Sequence, residues 1–241
     1  MSYDPNVKYN AATADSAAKT FDAGLQAHMQ KVYKVMMYGL AVTGLTAYFI
    51  STSDAAINLI FGTPLKWVAI FAPFAIIWFG FTPRRAFKMS TEKLRGIFYL
   101  LSFLYGLTFS VIFLQFTGES IARVFFITAG TFGGMSLLGY TTKRDLTALG
   151  SFLFMGLIGI ILASVVNIFV GSGVVSFVVS VMGVMIFTLM TAVDTQRIKE
   201  TYSYGYGDTD NDKLATLGAL SLYLNFVILF QNLMYLFGNE R

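Results

Sequence analysis

The chain has no cysteine and a single histidine, His28. Without thiols there is no disulfide, no thiolate nucleophile and no thiolate metal site. With one imidazole and no HExxH pattern, neither a Ser-His-Asp relay nor a pair of histidine ligands has its material. His28, set among Gln and Met, reads as a surface residue. Charge is scarce too. Asp, Glu, Lys and Arg make up 12% of the 241 residues, about half the ~25% of a soluble domain. Proline occurs four times. No catalytic residue and no metal ligand set is assigned, and the expectation is a protein that is not an enzyme and carries no cofactor.

What the chain has is apolar surface: 56% of residues are hydrophobic and the mean hydropathy is +0.65. Seven uncharged or nearly uncharged stretches follow one another: Tyr33–Ile50, Leu65–Phe81, Gly96–Gln115, Ile121–Leu138, Leu146–Val170, Val174–Val193 and Leu214–Phe237. About twenty apolar residues match the ~30 Å hydrocarbon core of a bilayer. The fold class expected is therefore an all-α integral membrane protein with seven transmembrane helices. The division is a polar N-terminal tail over 1–32, a seven-helix domain over 33–238 and a short end at 239–241. The tail lacks a basic segment leading into an apolar core, so it does not read as a signal peptide. It is expected to be disordered, turning amphipathic near Leu25 to Tyr33.

The basic residues divide unevenly. Fourteen of the seventeen Lys and Arg fall in the N-terminal segment and alternate loops, with five in the run PRRAFKMSTEKLR. By the positive-inside rule these face the cytoplasm, which places the N-terminus inside and the C-terminus outside. The net charge of +4 is thus a matter of topology, and no nucleic-acid partner is expected. The expected partner is the lipid bilayer.

Two polar stripes stand out. Ser176, Ser180, Gly183, Thr191 and Asp194 lie in a narrow sector of the sixth stretch at 100° per residue. Asp194 closes that stretch. A carboxylate there needs water, a partner or a protein-lined cavity. In the last stretch Leu214, Gly218, Ser221, Asn225 and Asn232 share a face. Asn225 sits mid-span, where an amide takes a hydrogen-bond partner, and Asp194 is the evident one. Asp194, Asn225, Thr191, Ser221 and Asn232 are the candidates for a gate or path. Gly130 and Gly134 form a GxxxG pair suited to close helix packing. Asp208, Asp210 and Asp212 have the first spacings of a calcium loop but lack its glycine and closing glutamate, so they read as a polar connection.

The segments TAVDTQRIK and ALSLYLNFVILFQNLMYLFG, with GLTAY and FGGMSLLGYTTKRDL, resemble the Bax inhibitor-1 family, also called TMBIM, which includes the bacterial YccA group. The resemblance covers about residues 30–238. It implies seven helices, six around a central seventh, in a plasma, or inner, membrane of bacterial type, and an association with pH-sensitive calcium leak, with calcium as the permeant ion. It implies equally, as the alternative, a regulator that conducts nothing and binds a membrane protease such as FtsH or another membrane complex. Family members place two aspartates near the cytoplasmic side. Asp194 matches the first, while Asn225 stands where the second belongs, so proton gating by an aspartate pair is expected to be weakened. Arg84 and Arg85 resemble, more loosely, a family arginine cluster that approaches this site.

Overall fold

The computed structural model describes the backbone of residues 5–202 and 207–241, with side chains from Asp22 onward, Pro83 apart. The helices are α1 (Pro5–Ser51), α2 (Asp54–Phe61), α3 (Leu65–Gly80), α4 (Pro83–Ala86), α5 (Thr91–Gln115), α6 (Gly118–Thr141), α7 (Thr147–Val170), α8 (Gly173–Thr201) and α9 (Asp208–Phe237). Each expected apolar stretch lies in a helix. Five of these, α5 to α9, are long and apolar enough to cross a bilayer. A sixth span is possible if α1 and α2, bent by 103° at their junction, form one broken crossing, and α3 is shorter at 16 residues.

Hydroxyl side chains set several helix starts. Ser53, Ser90, Thr117 and Ser172 each accept a hydrogen bond from the backbone N–H three residues on, satisfying a donor the helix leaves unpaired. The α7–α8 turn closes through Gly171 at φ +67°, a left-handed conformation that favours glycine. Asn167 Oδ1 accepts from the Ser172 N–H at 3.0 Å in the same turn.

The N-terminal segment departs from expectation, because α1 is already helical at Pro5. AATADSAAK is rich in alanine, the strongest helix former. The amphipathic approach is present: Leu25, Met29, Val32, Val35 and Met36 are buried in the core at helical spacing. His28 shares that stripe and is 5% exposed, not a surface residue. One apolar face of the helix enters the bundle and carries the imidazole with it.

The last helix is central. Two-thirds (67%) of the apolar window of α9 is buried, against 33% or less in the other four long spans. Its main neighbours are α8, α1, α6 and α5, while α7 packs chiefly on α8 and α3 on α5. The centre is therefore occupied as expected, but the ring around it is uneven, with α3 and α7 as an outer layer. Only 6% of α7's apolar window is buried, consistent with its uniformly apolar sequence.

Hydrogen bonds define the two ends of the bundle. At one end the C-terminal residues join the α5–α6 turn: Thr117 N donates to Asn239 O at 3.1 Å and Arg241 N to Gln115 O at 2.9 Å. At the other, Asp212 of α9 pairs with Lys31 of α1 and, at 3.4 Å, with Arg95 of α5. Lys213 Nζ donates to Phe87 O at 3.0 Å. The segments rich in Lys and Arg thus gather at this second, basic end.

Candidate functional site

α8 and α9 run antiparallel and meet along the two polar stripes. A Cβ on Gly218 would lie 3.0 Å from the Ile198 side chain, and one on Gly183 would lie 2.6 Å from Asn232 Oδ1. Between these contacts, Asn225 Nδ2 donates to Asp194 Oδ2 at 2.7 Å. Positions 218, 225 and 232 recur by seven and keep one side of a helix. They meet 198, 194 and 183 in falling order, as antiparallel neighbours must. The expected Asp194–Asn225 partnership is present. Asn225 is 4% exposed and Asp194 is half-buried.

Thr191, one turn before Asp194, is fully buried and donates to its own helix at Phe187 O, 2.8 Å away. Ser221 is half-buried one turn before Asn225 on the same face of α9. Asn232 donates to Ile228 O at 2.8 Å. All five expected residues therefore lie on the α8–α9 stripes, with Asp194 and Asn225 directly joined.

Asp194, Thr195 and Gln196 each reach a different neighbour. Successive helix residues point about 100° apart, so three in a row sweep a little over half the circumference. Asp194 bonds to α9. Thr195 Oγ1 is 3.0 Å from Ser136 Oγ on α6. Gln196 Oε1 accepts from Leu146 N and its Nε2 donates to Arg144 O, both at 2.8 Å, clamping the α6–α7 turn. Ser136 continues the chain of hydroxyls to Tyr33 of α1 at 2.6 Å. Tyr33, Ser136 and Gln196 were not singled out by sequence reasoning. The available signal was the α6 stripe Val124, Thr128, Phe132, Ser136 and Gly139, which is buried throughout.

Three expectations are corrected. Gly130 and Gly134 are not packing positions within this chain: nothing lies within 4 Å of a Cβ on either, and both are exposed. They sit on the face of α6 away from the buried stripe. The close approach is at Gly139, which abuts the backbone of Ala192 in α8. Arg84 and Arg85 do not reach Asp194. Both are exposed on α4, and Arg85 Nη1 turns back to Phe79 O at 3.1 Å. Asp208, Asp210 and Asp212, read as a polar connection, instead form the start of α9, with Asp210 paired to Lys213 at 3.3 Å.

His28 lies near the basic end with its ring 5.3 Å from that of Tyr202. Its Nε2 is buried without a hydrogen-bond partner among the described residues. Burial first, then the Lys31 ammonium, pushes its pKa below the usual histidine value, against the pull of Asp212.

Long apolar helices around a buried central helix, with polar groups confined to helix seams and ends, define a multi-pass helical membrane protein. The chain belongs to the Bax inhibitor family: residues 25–241 match the family described as inhibitor of apoptosis-promoting Bax1. It is 43% identical to the inner membrane protein YbhL of Escherichia coli strain K12 over 222 residues, covering 91% of this chain and 94% of that one. A Caulobacter vibrioides protein is 44% identical over 239 residues, with 95% and 94% covered. A Rickettsia prowazekii protein is 41% identical over 229 residues, with 95% and 96% covered.

Proposed function

We propose that this chain is a seven-span inner-membrane protein that leaks cations, calcium among them, along the α8–α9 seam, with Asp194 and Asn225 as the gate. The N-terminus and the basic end face the cytoplasm, and the C-terminus faces outside. The observation that carries this reading is the Asp194–Asn225 bond at 2.7 Å. It holds Asp194, the acid that closes the sixth apolar stretch, against the central helix. The Asn225 amide donates to that carboxylate and has no proton of its own to titrate. Separating α8 from α9 at this bond would open a path lined by Ser221 and Asn225.

A second reading, that of a non-conducting regulator docked on a membrane protease or other complex, has its own support. The Gly130 and Gly134 face of α6 is exposed and unpacked among the described residues, a small-residue surface on which a partner helix can pack closely. Purified protein in liposomes loaded with a calcium dye separates the two. Flux well above empty liposomes supports the leak, and none overturns it in favour of the regulator.

A further inference from the structure

A groove of about 1080 Å³ opens between α1 and α6. This is at or just above the ~300–1,000 Å³ common for ligand sites. Its α1 wall includes Met29, Met36, Met37 and Leu40, its α6 wall includes Ala129 and Leu137, and Phe226 of α9 closes the floor. A second groove of about 330 Å³ continues it toward the far end, sharing Leu40, Gly44, Phe125 and Phe226. Between Phe125 and Tyr140 the α6 wall rises about 22 Å at 1.5 Å per residue. One leaflet of hydrocarbon is about 15 Å, half the ~30 Å core. The groove therefore spans a leaflet and reaches its headgroup layer.

Polarity is confined to one end. Gln26, Gln30, the Tyr33 and Ser136 hydroxyls and Tyr140 all line the basic-end mouth. Lys199 sits beside this mouth, donating to Tyr140 O at 2.9 Å with its ammonium 5.3 Å from the Tyr140 ring centre. Lys34 is exposed and lies, by helical angle, in the sector of α1 between Ala41 and Leu45, which also line the groove. Asp22, the nearest acid along α1, is a turn further out than Gln26. Two lysines at the headgroup level, above a shaft of Met, Leu and Phe, complement a phosphodiester with an acyl chain below it. Ala41, Gly44, Ala129 and Gly133 keep the walls low, leaving room for a chain between the bulkier Met and Phe side chains. Flexible thioethers suit a chain without fixed shape.

We propose that the α1–α6 groove is a seat for one phospholipid with a net-anionic headgroup, its acyl chain against Phe226 and its phosphate between Lys34 and Lys199. The seat is separate from Asp194 and does not depend on whether the protein conducts. The test is native mass spectrometry of the purified protein titrated with dioleoyl phosphatidylglycerol and, separately, dioleoyl phosphatidylcholine. One phosphatidylglycerol should bind per chain in preference to phosphatidylcholine. Gly133 lines the groove with nothing within 4 Å of a Cβ, and Gly130 has the same free space outside it. Gly133→Phe should lower occupancy about tenfold, while Gly130→Phe should leave it unchanged. Lys34→Gln with Lys199→Gln should erase the headgroup preference while the neutral lipid still binds. Equal occupancy in Gly133→Phe and parent would overturn the seat. So would a lipid-free dimer that Gly133→Phe converts to monomer, which would assign the groove to a second copy of the chain.

Discussion

Gly139 of α6 packs directly on the backbone of Ala192 in α8, leaving no room for a side chain at that position. Ala192 lies two residues before Asp194, so this contact fixes the height of the polar site against α6. Gly139→Ala should force the helices apart and destabilise the fold by about 1–3 kcal/mol, the range of overpacked sites. Gly130→Ala, on the same helix but facing open space, should be neutral or gain up to about 1 kcal/mol from helix propensity. Thermal unfolding of both variants in detergent checks this. Equal losses would return the packing role to the GxxxG pair.

Gln196 holds the α6–α7 turn from both sides, accepting from Leu146 N and donating to Arg144 O. Gln196→Ala leaves both backbone groups without a protein partner, a cost of about 1–3 kcal/mol where they stay buried. Hydrogen exchange at the Leu146 amide should speed up markedly, with the α5–α6 turn unaffected. An unchanged Leu146 rate would show that the turn holds itself.

Acid should weaken the fold through His28. Its pKa is lowered in the folded chain, so unfolding takes up a proton at pH values between the folded value and the unfolded ~6.5. The stability tied to the neutral ring is complete above about pH 6.5 and is lost as pH falls through the lowered value. The melting temperature should drop on going from pH 7 to pH 5, and His28→Gln should flatten that slope. A slope identical in both proteins would move the effect to another group.

The orientation is open to a fusion test. An alkaline phosphatase reporter, active only outside the cytoplasm, should work when fused after Arg241 and fail when inserted near Lys88. The reverse pattern would put the basic end, and Asp194 with it, outside.

The sequence carried the seam but not its surroundings. Ser180, Gly183, Thr191 and Asp194 were visible as one sector because polar and small residues are rare in an apolar run, and their partners on α9 share the same rarity. Gly130 and Gly134 misled for the opposite reason: glycine is common in membrane helices, so its spacing alone does not say which face is buried. Gly139, three residues beyond Ser136, falls on the buried stripe, and only the fold reveals that Ala192 lies opposite. Arg84 and Arg85 lie six and five residues before the Ser90 cap of α5, exposed on the short α4. The stretch Leu65–Phe81 matches α3 to within a residue, whereas the sharp α1–α2 bend escaped, since hydropathy marks apolar length and not where the chain turns.

The final expectation concerns the amide at 225. Asparagine has nearly the shape of a protonated aspartic acid, with one carbonyl oxygen and one donor group. Asn225 Nδ2 donating to Asp194 Oδ2 therefore reproduces an acid pair that shares one proton, but with a donor no pH change can remove. If the seam conducts, leak from the parent should vary little between about pH 6 and 8, a range within reach of a buried carboxylate raised by a like-charged neighbour. Asp194→Asn should cut flux several-fold while the protein stays folded, because it removes the charge and keeps the shape. Asn225→Asp should put two carboxylates within bonding distance, so that they titrate as a coupled pair and leak becomes steeply pH-dependent. Calcium flux against pH in one liposome preparation, with melting temperatures as a folding control, compares all three. A parent already steep in this window, or an Asn225→Asp curve laid on the parent's, would show that the amide is not imitating a protonated acid. The gate would then have to lie elsewhere than in the bond between α8 and α9.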